Sequence, residues 1–224
     1  MSAFDLADST VRELNQHLHK SVSGKVTVNN PGGKHSVAVG ATHAHDVEIN
    51  GNVGYYCAGM NAEASIVVNG HAGSGLAENM MSGRVHVTGS ASQYCAATAH
   101  GGLVVVDGDA SSRCGISMKG VDIVVKGNVG HMSAFMAQTG RLVVCGDAGD
   151  ALGDSIYEAQ LYVRGKVESL GADCEEKEMR EEHKKALQDL LQAAGATEYS
   201  VEDFKRYGSA RKLYNFNIDN ASSY

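Results

Sequence analysis

The chain has 224 residues, 43% of them hydrophobic and 20% charged, with a formal net charge of −7 at pH 7. That acidity argues against nucleic acid or an anionic membrane surface as the main partner. No apolar run approaches the roughly 20 residues that cross a bilayer, and residues 1–20 lack the basic-then-apolar order of a secretion signal, so a cytoplasmic protein is expected.

The first predicted element is a short amphipathic helix over Val11–Leu18, entered through Thr10 and Glu13 at capping-box spacing. A Gly- and Asn-rich entry segment follows, carrying His35, His43 and His45. The spacing of these histidines permits a metal, but beyond Asp46 no carboxylate or thiol accompanies them, and no metal site is expected.

From there the chain is governed by one period. Gly51, Gly70, Gly89, Gly108, Gly127, Gly146 and Gly165 recur every 19 residues. Two residues before each stands Ile49, Val68, Val87, Val106, Val125, Val144 or Val163, and four before stands Val47, Ile66, Val85, Val104, Ile123, Leu142 or Leu161. Each coil therefore carries a short strand pointing two apolar side chains inward. A small apolar column (Val53, Ala72, Ala91, Ala110, Val129, Ala148, Val167) lies two residues after the glycine, and Cys57, Leu76, Cys95, Cys114 and Leu152 share another six after it. A 19-residue return of one inward pattern, with turns and no helical periodicity, predicts an all-β fold: a right-handed single-stranded β-helix of seven coils, on the order of 30 Å long at a rise of about 4.8 Å per coil. The hand is assigned by analogy. The glycine column is read as the place where the backbone turns sharply or reaches positive φ.

After the last coil, Cys174–Ala194 reads as a charged helix with Met179, Ala186, Leu187, Leu190, Leu191 and Ala194 on one side and Gly195 as its stop. A tail, Tyr199–Tyr224, interleaves aromatic and basic residues and is expected to dock on its own rod or on another chain. The expected divisions are 1–25 (helical segment), 26–172 (β-helix) and 173–224 (helix and tail).

Three residues before each glycine the side chain points outward, and the series runs Glu48, Val67, His86, Val105, Val124, Val143, Tyr162. The last four form an apolar stripe that something must cover, either the helix around 176–194 or a partner subunit. Val105, Val124, Val143 and Tyr162, with Tyr207, Arg211, Tyr214 and Phe216 of the tail, are the candidate interface. Tyr and Arg are types enriched among interface hot spots.

Catalytic constellations are missing from the sequence. Asp109 and Asp147 share a column two coils apart, about 9–10 Å, at or beyond the limit for an inverting carboxylate pair. The five cysteines are odd in number and include no Cys-x-x-Cys, so reduced thiols are expected and neither zinc nor an iron–sulfur cluster in this chain. Repeated Gly-x-x-Gly segments are turns of the coil and not nucleotide loops.

The recurring Val-x-Gly-x-Ala/Val-Gly pattern, as in Ile49–Gly54, Val68–Gly73, Val125–Gly130 and Val144–Gly149, resembles the GXGXG domain. That domain forms the C-terminal β-helix of the glutamate synthase large subunit, and a related one occurs in a subunit of formylmethanofuran dehydrogenase. The resemblance covers residues 26–172. The flanks, Val11–Asn15 and Lys212–Asn220, are similar to the free-standing small subunits of the N-methylglutamate synthase type. The resemblance implies a scaffold with no catalytic residue and no cofactor of its own. Its implied partners are a class II amidotransferase-like subunit and an FMN-binding, iron–sulfur-containing glutamate-synthase-like subunit, in a hetero-oligomer making N-methyl-L-glutamate and ammonia from L-glutamate and methylamine. The N-terminal cysteine of an amidotransferase is absent: the chain begins Met1-Ser2-Ala3. Two other readings remain open: a subunit of a formylmethanofuran-dehydrogenase-like complex, and a self-sufficient carbohydrate-active β-helix enzyme.

Overall fold

The computed structural model describes residues 2–20 and 23–212. Seven strands carry the repeat: β3 (Asp46–Asn50), β4 (Ser65–Asn69), β5 (Arg84–Val87), β6 (Leu103–Val106), β7 (Lys119–Val125), β8 (Thr139–Val144) and β9 (Gln160–Val163). Each pairs in parallel with the next, and the inward residues meet rung by rung: Val47 faces Ile66, Ile66 faces Val85, and so on to Leu142 and Leu161. Both inward columns are at most 2% exposed along their whole length. Burial of each such Val, Ile or Leu side chain contributes about 1.5–3 kcal/mol. The small column forms a second wall, linked by isolated parallel bridges from Val53 through Ala148 to Val167. The fold is the expected all-β, single-stranded β-helix.

The rod begins earlier than its period reveals. A strand β2 (Lys25–Asn29) sets Val26 against Val47 and Val28 against Ile49, and β1 (Ser2–Asp5) pairs in parallel with β2. Residues 26 and 47 are 21 apart, so this coil carries two residues more than the others and falls outside the 19-residue count. Helix α1 (Val11–Lys20) has the expected capping box, with Thr10 N–H donating to Glu13 Oε2 at 2.8 Å and Glu13 N–H to Thr10 Oγ1 at 3.2 Å. Its Leu14 and Leu18 are fully buried in the core of the rod. Residues 2–20 therefore cap the solenoid and share its core.

The far end also departs from expectation. Residues 174–177 are not the first turn of a helix but a strand, β10 (Cys174–Lys177). Helix α2 begins later, at Glu181, and runs to Ala194, closed by Gly195 at φ 67°. Part of the tail is a strand too: β11 (Lys205–Ser209) inserts between β9 and β10, antiparallel to both. Cross-strand pairing outweighs the helical propensity of the Glu- and Lys-rich segment 175–177, because the last coil would otherwise leave an open edge.

The repeat glycines are glycine for a reason other than the turn conformation. Among the seven only Gly51 has a positive φ, at 132°. At Gly127 a Cβ would lie 2.3 Å from Asp109 Oδ1 and 2.7 Å from the Gly108 carbonyl oxygen of the coil below. Close approach between coils dictates the column. The positive φ values fall instead at the opposite corner, on alternate residues such as Tyr94, Ala96 and Thr98.

Candidate interaction surface

The outward face of the sheet is divided between two fates. Val105, Val124, Val143 and Tyr162 are fully buried, forming a second apolar cluster with Leu187, Leu190, Leu191 and Ala194 of α2 and with Ala196 and Phe204. The chain's own helix covers the stripe, so these four residues are not available to a partner. Polar ties fix the helix across the strands. Arg84 of β5 donates to the Ala193 carbonyl at 2.8 Å, a cation at the negative end of the helix. Arg141 of β8 grips Asp122 of β7 through two bonds and reaches the Ala186 carbonyl. Burial raises the Tyr162 hydroxyl pKa, against the opposing pull of nearby Arg206 and Arg141, and that hydroxyl donates to Gln160 at 2.7 Å.

Beyond the end of α2 the same column is open. Glu48 is exposed, while Val67 and His86 are half-buried, and Thr27 of β2 continues the row. A surface cavity of about 370 Å³ lies here, bordered by Lys25, Thr27, Asp46, Glu48, Ser65 and Val67. At the boundary, Asp107 accepts from His86 Nε2 at 2.9 Å and pairs with Lys126 at 2.8 Å. Burial would raise the Asp107 pKa, but the bonds from Lys126 and His86 and their charges hold it below the usual carboxylate range.

The tail residues part company in the same way. Tyr207 is 6% exposed and packs into the core of the rod through β11. Arg211 is exposed and pairs with Glu158 at 2.8 Å. Residues 205–212 thus dock on their own rod, while Tyr214 and Phe216 lie outside the described residues.

The acidic column is structural. The residue after each of the first six repeat glycines accepts a backbone N–H from the next coil: Asn52 Oδ1 from His71, His71 Nδ1 from Ser90, Ser90 Oγ from Asp109, Asp109 Oδ1 from Asn128, Asn128 Oδ1 from Asp147 and Asp147 Oδ1 from Lys166, at 2.7 to 3.2 Å. Asp109 and Asp147 are rungs of this ladder, and His71 serves in its Nε2–H tautomer. A parallel ladder of amides joins Asn29, Asn50 and Asn69. What position after the glycine requires is a short acceptor, which explains why Asn, Asp, Ser and His alternate there.

The cysteines are reduced. Cys57, Cys95 and Cys114 are buried in one column, and burial pushes the Cys57 thiol up to about 12. The hydrogen bond with Cys95, then burial, raises Cys114 further. Such thiols are poor nucleophiles. Of the entry histidines, His35 accepts the Tyr55 N–H at 2.9 Å and stacks on its ring at 4.5 Å. His45 is 1% exposed. Among the described residues no three His, Cys, Asp or Glu side chains are already gathered closely enough to hold a metal ion, and no helix is long and apolar enough to cross a membrane.

No protein-family model matches the chain. A curated relative does: Protein GlxC of Rhizobium meliloti (strain 1021) is 61% identical over 228 aligned residues, spanning 100% of this chain and 100% of that protein. Identity at that level along the whole length means that coils, cap helix and tail are shared together, and the chain belongs to the GlxC family.

Proposed function

We propose that this chain is the non-catalytic β-helix subunit of a glutamate-synthase-like complex of the N-methylglutamate synthase type. In it the rod holds a class II amidotransferase-like chain and an FMN- and iron–sulfur-containing chain in register. The observation that carries the reading is the parallel stacking of β2 to β9, interrupted only by an irregularity between Lys119 and Asp122, with an acceptor ladder behind the repeat glycine tying coil to coil from Asn52 to Lys166. Such a body is stiff along its axis. Transfer of a nitrogen between two distant sites depends on fixed geometry, which a stiff spacer supplies. The GXGXG-like pattern of the coils supports the same reading, and the open half of the outer face, over β2 to β4, is the surface assigned to a partner.

The test is affinity purification of the full chain from its native cells, with identification of the chains that accompany it. The expected companions are an amidotransferase-like and a flavin-binding chain, with flavin absorbance in the complex and none in the chain purified alone. Stoichiometric FMN in the isolated chain would overturn the scaffold reading. Companions of a molybdenum or tungsten dehydrogenase would move it to the formylmethanofuran-dehydrogenase-like type.

A further inference from the structure

In a chain whose net charge is −7, the strands that close the far end of the rod border a cavity with basic walls. It measures about 340 Å³ and is lined by Lys177 of β10, Arg180 in the link to α2, Arg206 and Gly208 of β11, and Arg211 just beyond. Of its lining residues Glu158 alone is acidic. Lys177 and Arg206 are register partners in the β10–β11 ladder. Like charges set directly opposite each other destabilise a ladder unless something negative lies between them.

Three of the four cations have a carboxylate: Lys177 has Glu175, Arg180 has Glu182 at 3.3 Å and Arg211 has Glu158 at 2.8 Å. Arg206 has none among the described residues, and its Nε donates to the Glu178 carbonyl at 3.0 Å. The other half-buried arginines are provided for: Arg141 by Asp122, Arg84 by the end of α2 and Arg113 by the face of the Tyr94 ring. Burial lowers the Arg206 pKa, and Arg180 adds to the shift against Tyr162, Glu182 and Glu178.

Gly208 supplies the second, independent observation. Its φ is not positive, and beyond its chain neighbours a Cβ there would meet nothing closer than Lys177 Cγ at 3.6 Å. Neither conformation nor crowding therefore requires glycine, in contrast to the repeat column. A glycine inside a strand gives up packing and conformational entropy, and one place where that loss is compensated is where a ligand approaches the backbone. The missing side chain leaves the cavity open beside Arg206.

We propose that this cavity binds the oxyanion group, phosphate or carboxylate, of a small molecule, with Arg206 as the inner anchor, Lys177 and Arg180 beside it and Gly208 making room. A guanidinium takes either group through two parallel hydrogen bonds, and the volume is that of a small-ligand site. The bound anion would separate Lys177 from Arg206 and tie β11 to the link before α2.

The test is calorimetric titration of the full chain at low ionic strength and constant chloride, with inorganic phosphate in one arm and succinate in the other, beside melting curves; it needs no partner subunit. At least one arm should show saturable binding of one equivalent and a higher melting temperature than chloride gives at equal ionic strength. The tighter arm assigns the ligand to phosphates or to carboxylates. Arg206→Gln should weaken that binding about tenfold or more, the loss expected for hydrogen bonds to a charged group, and Arg206→Lys, which keeps the charge without the fork, should fall between. Because Arg206 also bonds the Glu178 carbonyl, Gly208→Val is the safeguard: it keeps all four cations, suits a strand, and should retain a cooperative melt while losing the binding. Arg12→Gln, at an exposed arginine of α1, should change neither. Absence of saturable binding in both arms, or unchanged binding in Arg206→Gln or in Gly208→Val, would overturn the proposal.

Discussion

The two halves of the outer sheet face have the same backbone, the same register and the same position in the repeat, yet differ in side chain and in cover. Val105, Val124, Val143 and Tyr162 sit under α2 and are fully buried, whereas Thr27, Glu48, Val67 and His86 face a cavity or solvent. The inner columns do not change character between the halves. Residue type on the outer face therefore reports what lies on top of it, and the passage from Val105 to His86 marks the end of α2, where Arg84 meets the Ala193 carbonyl. The proposed partner is assigned to the open half because the covered half is already occupied by α2.

The largest effect is expected beneath both halves. Val125→Asp puts an unpaired carboxylate into a fully buried column and should cost more than about 4 kcal/mol, abolishing the cooperative melt. A wild-type melting temperature would mean that the column does not face inward. Next, Leu191→Ala in the covered half should cost about 2–5 kcal/mol by leaving a cavity under α2, while far-UV circular dichroism retains the β-sheet signal. If it costs nothing, α2 is not seated as described.

Smaller effects sharpen the contrast. Asn128→Ala removes one rung of the acceptor ladder, leaving the Asp147 N–H without that partner, and should lower stability by about 0.5–1.5 kcal/mol in denaturant melts. Val67→Asp in the open half should change stability by about 0.5 kcal/mol or less. The same change should reduce recovery of the companion chains, and full recovery would remove the open half from the interface. Deletion of 213–224 is the useful truncation at the tail, since deletion from 205 would also strip β11 from between β9 and β10.

Much of this was legible in the residues. The strands, their inward columns and the small wall follow from the 19-residue return, and Thr10 with Glu13 marked the entry to α1. Other features were not. The coil of Val26 and Val28 escaped because two extra residues break the count. Cys174–Lys177 reads as helix on composition, and only a strand partner 29 or more residues later in the chain, Arg206 opposite Lys177, makes it a strand. The stripe of Val105 to Tyr162 was visible as apolar, but its cover was not, since nothing in a strand's own period says which element will lie across it. The approach of the His17 and His45 rings, centres 6.1 Å apart, had no sequence signal.

What the sequence by itself determined is what repeats: a coil that presents the same apolar pair inward every 19 residues has one low-energy way to bury them, by stacking in register. The tertiary structure alone decided what does not repeat. Beyond Gly51, the repeat glycines are required by the distance between neighbouring coils, 2.7 Å from a Cβ at Gly127 to the Gly108 oxygen, and not by their own φ. The burial of the Val stripe under α2 and the insertion of β11 arise between segments far apart in the chain. Such contacts are set by the packing of whole elements, whose free energy no local pattern of residues encodes.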